Sequence, residues 1–263
     1  MRDAAVPIQR DRLSPLRRLA RLPLLALYLL LATPPALLLI NPLCRRWRWR
    51  GQSLEQRTIR CWSKGLVRLC GWRVRRFGDP HPGPVLLVAN HVGWLDIEVI
   101  HTQVAAGFVA KAEISRWPLV GWLARRGGTI YHHRGRSDSL HGVMHAMFER
   151  LQQGKAVAVF PEGRANSGAQ IGPFHARIFQ PAVLAGVPAQ PVALRYGRGG
   201  EAQTRVAFQP GEGFLGNVLR LLGEPVRTVE VHFLPVVAAG EDGRRRMAIL
   251  CRERIVQALA GSR

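Results

Sequence analysis

The sequence predicts an α/β domain, a mixed and largely buried sheet flanked by helices, preceded by an apolar membrane-anchoring helical segment. Three observations carry that prediction. Short apolar runs recur through residues 72–263, each followed by turn or helix signals. Hydrophobic residues make up 47% of the 263, enough for a sizeable core and too many for a disordered chain. The run Leu22–Ile40, LPLLALYLLLATPPALLLI, carries no charge and is about as long as a minimal membrane span.

The chain divides on this reading into residues 1–71, an anchor and amphipathic helix, and residues 72–263, the α/β domain. Arginines flank the apolar run on both sides: Arg10, Arg12, Arg17, Arg18 and Arg21 before it, and Arg45, Arg46, Arg48 and Arg50 after it. Basic clusters favour the cytoplasmic side of a membrane, so a cluster at each end argues against a simple span. The expectation is a monotopic or re-entrant anchor on the cytoplasmic face of the cell's inner membrane, broken into a hairpin at Pro34-Pro35. Trp47 and Trp49, interleaved with arginines, read as an interfacial belt, and no small-residue cleavage site marks a signal peptide. Leu54, Ile59, Trp62, Leu66, Val67 and Leu69 then give Gln52–Cys70 the spacing of an amphipathic helix.

Expected strands are Arg73–Phe77, Val85–Ala89, Phe108–Lys111, Thr129–His132, Ala156–Phe160, Ala189–Leu194, Arg205–Phe208 and Val229–Phe233. Expected helices are Leu95–Ala105, Pro118–Arg126, Ser139–Gln152, Phe174–Ala185, Phe214–Leu222 and Arg244–Leu259. In such folds active sites gather at strand C-terminal ends beside helix N-termini.

The net charge is +21, supplied almost wholly by arginine; the lysines are Lys64, Lys111 and Lys155. That charge favours a polyanionic partner: nucleic acid, anionic lipid headgroups or a phosphorylated substrate. Cys44, Cys61, Cys70 and Cys251 are scattered, with no CxxC pair, which argues against a disulfide framework or zinc ribbon. The His132-His133 and His141/His145 pairs lack acidic or cysteine ligands at supporting spacing, so no metal is expected. Phosphate-binding glycine loops and a serine-hydrolase elbow are absent from the sequence.

Chemistry concentrates at two strand ends. Val85–Ala89 opens directly onto Asn90-His91, followed by Val92-Gly93-Trp94-Leu95-Asp96. Within one ideal helix His91 and Asp96 would lie on different faces. With His91 in a turn and Asp96 in the first helical turn, the carboxylate can point back at the imidazole, where a helix N-terminus also favours its charge. A carboxylate on one ring nitrogen fixes the tautomer and leaves the other nitrogen as a base for a hydroxyl nucleophile. Ala156–Phe160 ends in Pro161-Glu162-Gly163-Arg164, presenting a carboxylate and a guanidinium at a second strand end. Lys111 ends one further strand, Arg134 and Arg136 follow another, and these cations could hold a phosphate or offset a developing oxyanion. A histidine–aspartate pair at a helix start is also common as plain capping, so a non-enzymatic basic membrane- or nucleic-acid-binding protein stands beside the enzyme reading.

These residues resemble the glycerolipid acyltransferases of the 1-acylglycerol-3-phosphate acyltransferase type. Asn90-His91 with Asp96 is similar to the family's NHx4D block, and Gly128–Arg134 (GTIYHHR) to its second block. Phe160-Pro161-Glu162-Gly163 is similar to the start of the third, FPEGTRS, and Val187–Ala193 (VPAQPVA) to the fourth, all in family order. Phe108–Glu113 with Trp117-Pro118 fits the segment between the first two blocks. The resemblance implies a glycerolipid acyltransferase-like fold and an O-acyltransferase that moves a fatty acyl group from acyl-CoA or acyl-carrier protein to the free hydroxyl of a lysolipid. The first acceptor it implies is 1-acylglycerol-3-phosphate. His91 would be the base and Asp96 its orienting partner, with Asn90, Trp94, Lys111, Arg134, Glu162, Gly163 and Arg164 toward the substrate. It implies no cofactor or metal, and as partners the lysolipid, the thioester donor and an anionic membrane surface, with no specific nucleic acid. The third block departs from the family: Arg164 stands at its threonine position and Ala165 at its arginine, with Asn166-Ser167-Gly168 following. Downstream, Phe174-His175 stands where many members have phenylalanine–lysine. Relatives that acylate lyso-ornithine lipid also lack that arginine, which makes this lipid the alternative acceptor.

Overall fold

The computed structural model describes residues 11–41, 43–44, 46–49, 51–133, 137–166, 170–240 and 243–261. The first helix, α1 (Ser14–Leu39), begins with Pro15 in its first turn, where a missing N–H costs nothing. The break expected at Pro34-Pro35 does not form, and α1 continues to Leu39. Proline removes helix hydrogen bonds, but packing holds this stretch together. Thr33, Ala36 and Leu37 are buried, and Trp62 Nε1 donates to Thr33 Oγ1 at 3.3 Å. By length and composition α1 is able to cross a membrane. It leaves a row of leucines outward, including Leu16, Leu19, Leu27, Leu30, Leu31 and Leu38.

A two-residue hairpin, β1 (Arg48–Trp49) with β2 (Gln52–Ser53), leads into α2 (Leu54–Leu69). Ser53 and Gln56 form a reciprocal capping box at the start of α2, a device worth about 1 kcal/mol. Its buried residues, Ile59, Ser63, Leu66 and Val67, recur at helical spacing.

The main sheet has seven strands in the order β3-β9-β8-β4-β7-β5-β6. They are β3 (Trp72–Phe77), β4 (Leu86–Ala89), β5 (Gly107–Lys111), β6 (Ile130–His132), β7 (Val157–Val159), β8 (Ala189–Tyr196) and β9 (Arg227–Phe233). All neighbours pair in parallel except β8 and β9, so β3 and β9 run against the rest and the sheet is mixed. Every residue of β4 and β8 is buried, as expected for strands covered on both faces. Alternation assigns Leu87, Ala89, Phe108, Val192 and Leu194 to a core beneath α2, α3 (Leu95–His101) and α8 (Phe214–Leu222). Leu86, Val88, Val157 and Val159 face a second core with α5 (Ser137–Gln152), α6 (Gln180–Ala185) and α9 (Gly243–Ala260). The remaining helices are α4 (Val120–Arg126) and α7 (Gln203–Val206).

Other elements differ from expectation as well. Arg205–Phe208 is not a strand: Gln203–Val206 is the helical turn α7, whose buried Ala202 and Val206 stand four residues apart, a helical spacing. The helix expected over Phe174–Ala185 splits into a 3-10 turn, Ala176–Phe179, and α6, because Pro181 suits only a first helical turn. α3 stops at His101, and Thr102 closes it by donating from Oγ1 to Val99 O at 2.7 Å.

Candidate active site

Strand β4 ends at Ala89, and the next residue, Asn90, is buried. Asn90 Nδ2 donates to Leu194 O at 3.0 Å and its Oδ1 accepts from Leu194 N at 2.8 Å. A side chain thus extends the β4–β8 ladder one step beyond the strand and fixes where His91 emerges. Both functional groups of Asn90 are occupied inside the fold.

His91 Nδ1 lies 2.8 Å from Asp96 Oδ2, with Asp96 fully buried in the first turn of α3. The same oxygen accepts from the backbone N–H of Val92 at 2.6 Å and of Gly93 at 3.0 Å. The other oxygen, Oδ1, accepts from Tyr196 Oη at 2.6 Å. An ionised carboxylate only accepts hydrogen bonds, so the shared proton belongs to His91 Nδ1 and the lone pair to Nε2. Among the described residues no group hydrogen-bonds Nε2, and the His91 side chain is 18% exposed.

The turn after β7 grips His91 from below. Phe160 stacks on the imidazole, centroids 3.9 Å apart and planes 13° from parallel. His91 N–H donates to Glu162 Oε1 at 2.9 Å, and Asn166 N–H donates to His91 O at 3.2 Å. Glu162 Oε2 accepts from Gly172 N at 2.9 Å and from Asn166 Nδ2. Gly163 makes this turn possible at φ 76°, a left-handed conformation that a side chain would strain. Both Glu162 oxygens therefore brace the turn that carries His91.

The parallel strands β4, β7, β5 and β6 bring their C-terminal ends to one edge, which gathers His91, Glu162 and Lys111 on the same side of the sheet. Lys111 is exposed and pairs with Glu113 at 3.1 Å, and Arg164 is exposed on the turn beside Glu162. Arg134 and Arg136 lie outside the described residues. Trp94 turns toward α8: its Nε1 donates to the buried Asn217 Oδ1 at 2.9 Å and its ring meets Phe214 edge-on at 5.6 Å. His132 lies 3.2 Å from Ser139 Oγ and His145 3.3 Å from Glu149. Among the described residues no three His, Cys, Asp or Glu side chains gather into a set that could hold a metal.

Sequence reasoning missed Tyr196, because it ended this strand at Leu194. The signal was a hydroxyl at the C-terminal end of a strand that also carries a motif block. Burial, together with the Asp96 charge and the hydrogen bond to it, pushes the Tyr196 phenol well above its ordinary value of 10, so it stays a donor. The Tyr196 ring packs edge-on against the buried Trp72 at 5.1 Å, and a phenylalanine would keep that contact. Tyr196→Phe is expected to lower kcat roughly tenfold, the scale of one hydrogen bond to a charged group. KM should hold. A kcat equal to the wild type's would reduce Tyr196 to packing.

The Acyltransferase family model matches residues 75–195 of this chain. The lyso-ornithine lipid O-acyltransferase of Pseudomonas aeruginosa is 36% identical over 213 residues, 80% of this chain and 81% of that protein. The chain belongs to the acyltransferase family. The 1-acyl-sn-glycerol-3-phosphate acyltransferase of Neisseria gonorrhoeae is 35% identical over 175 residues, 66% of this chain and 69% of that one. The crystal structure of the 1-acyl-sn-glycerophosphate (LPA) acyltransferase PlsC from Thermotoga maritima superposes with a TM-score of 0.64 at 20% identity. It covers 93% of this chain and 98% of that one, so this acyltransferase shares its fold. The matched region contains both halves of the site, from His91 through Glu162.

Proposed function

We propose that this protein transfers a fatty acyl group from an acyl thioester to the free hydroxyl of a lysolipid. The observation that carries the reading is the buried Asp96 carboxylate on His91 Nδ1, which leaves Nε2 as a base at the open edge of the sheet. Nε2 takes the hydroxyl proton as the oxygen attacks the thioester carbonyl carbon. The C–S bond then breaks, and the departing thiolate recovers the proton from the imidazolium. The products are the acylated lipid and a free thiol, with no net oxidation, so no cofactor is required. The donor is acyl-CoA or acyl-carrier protein. α1, with its outward leucines and flanking arginines, holds the enzyme at the cytoplasmic face of a membrane rich in anionic lipid.

The acceptor is 1-acylglycerol-3-phosphate on the first reading, its phosphate met by Arg164 and Lys111, both exposed at the edge that carries His91. A second acceptor, lyso-ornithine lipid, is supported by Ala165 at the family's arginine position and by the Pseudomonas aeruginosa relative. The purified full chain should be assayed on both acceptors, each with both donors. The true acceptor is expected to lead by about tenfold or more in kcat/KM, the discrimination available when a site's polar groups lose their partner. Turnover of neither acceptor from either donor would sink the lysolipid reading.

A further inference from the structure

Beside the site lies an apolar surface that the chemistry above does not use. Phe214, at the start of α8, touches Trp94 on one side and Trp117 on the other, the latter at 5.0 Å between centroids. Trp94 is three residues from His91, so this aromatic row begins at the catalytic loop. Outward of it stand Trp117, Leu119 and Trp122 around the start of α4, and Leu215 and Leu219 on α8, all exposed. Leu119 adopts φ 61°, the only positive φ of a non-glycine residue among the described residues. A bulky side chain in that region is strained. The fold thus tolerates strain at a leucine that it leaves exposed.

This surface is continuous with α1. Arg17 Nη1 donates to Gly223 O at 3.0 Å, and Arg21 Nη1 donates to Glu224 O at 2.7 Å, joining α1 to the end of α8. Arg126 Nη1, at the end of α4, reaches Ile40 O at 3.5 Å. α1 is therefore joined to the end of α8 and to the end of α4, and the Trp117–Phe214 contact joins the approach to α4 with the start of α8. Exposed Arg116, Arg125 and Arg126 border the apolar side chains of α4, and the Arg126 guanidinium lies 5.9 Å over the Trp122 ring. Tryptophan beside arginine, outside a leucine-rich face, is the composition of a bilayer interface: indoles sit at headgroup depth and guanidinium groups hold phosphates.

We propose that the rim formed by α4 and α8 is a second membrane-contact surface. It seats Trp117, Leu119, Trp122, Leu215 and Leu219 in the interface of an anionic bilayer beside His91. An acyl chain then passes along the Trp117–Phe214–Trp94 row to the imidazole without crossing water. The passage rests on the lysolipid reading; the contact itself does not.

Nitroxide labels test the contact without activity. Leu215→Cys and Trp122→Cys are labelled singly in the full chain carrying Cys44→Ser and Cys61→Ser. Vesicles of phosphatidylcholine with phosphatidylglycerol are added. Both labels are expected to become accessible to oxygen and shielded from a water-soluble nickel chelate. Labels that stay open to nickel on vesicle-bound protein overturn the proposal, as do labels shielded in the absence of lipid, which would mark a contact between copies or with another protein. In the activity arm, Leu215→Asp with Leu219→Asp is expected to lower kcat/KM at least about tenfold on a bilayer-embedded acceptor, the low end for losing one buried leucine, and to spare a detergent-dispersed one. Equal loss on both acceptors would show damage to the site and overturn the passage, leaving the label result to decide the contact.

Discussion

Replacing His91 by alanine is expected to lower acyl transfer about 10³- to 10⁴-fold, the upper range for a positioned general base. Among the described residues, the imidazole is the one titratable ring at this strand edge that is held by a carboxylate and still keeps a nitrogen free of protein partners. The loss should fall in kcat. Among the described residues the ring is bonded to Asp96 and stacked on Phe160, and to no cation, so KM should stay within a few fold. Folding should survive, because the loop is gripped through the His91 backbone: its N–H by Glu162 and its carbonyl by Asn166. The checks are steady-state kinetics on purified protein and circular dichroism of the variant. Wild-type turnover in a well-folded His91→Ala protein would end the base assignment.

Asp96→Asn is expected to cost about 10³-fold, chiefly through the wrong tautomer: an amide can donate to Nδ1 and draw the ring proton to Nε2, where the lone pair is needed. Here the change also reaches stability. Asp96 accepts from four donors, His91 Nδ1, Val92 N, Gly93 N and Tyr196 Oη, and sits wholly away from water. An amide nitrogen in place of either oxygen would face donors it cannot accept, a loss of about 1–3 kcal/mol for each buried group left unmet. The variant should therefore lose both kcat and several degrees of Tm, whereas His91→Ala loses mainly kcat. A thermal melt run beside the kinetics separates the two. Full activity in Asp96→Asn would mean that the imidazole orients itself.

Much of this site was legible because its chemistry is local. Five residues separate His91 from Asp96, and a strand opening onto a turn and then a helix leaves few ways to arrange them; the carboxylate does point back at the ring. The buried strands were legible for the same reason, since β4 and β8 are runs without a polar face. What escaped was set by contacts across long separations. Tyr196 reaches Asp96 across 100 residues and Glu162 reaches the His91 amide across 71, and no spacing rule announces either. Glu162 and Trp94 were read toward substrate, yet their polar atoms meet His91 N, Gly172 N and Asn217. The double proline misled because local propensity foretold a break, and packing against Trp62 outweighed it.

The fastening of α1 limits how the enzyme can move. An anchor on a slack tether would let the catalytic domain tumble above whatever receives its leucines. Here two arginines rivet the front of the helix to the carbonyls after α8, and Tyr28 bonds to Trp62 O at 2.7 Å further along. The anchor is thus fastened to the catalytic domain at two points along its length. On the proposed seating of α1 in a bilayer, these fastenings set the height and tilt of the imidazole over the lipid, and reach along an acyl chain is built into the scaffold like the setting of a caliper.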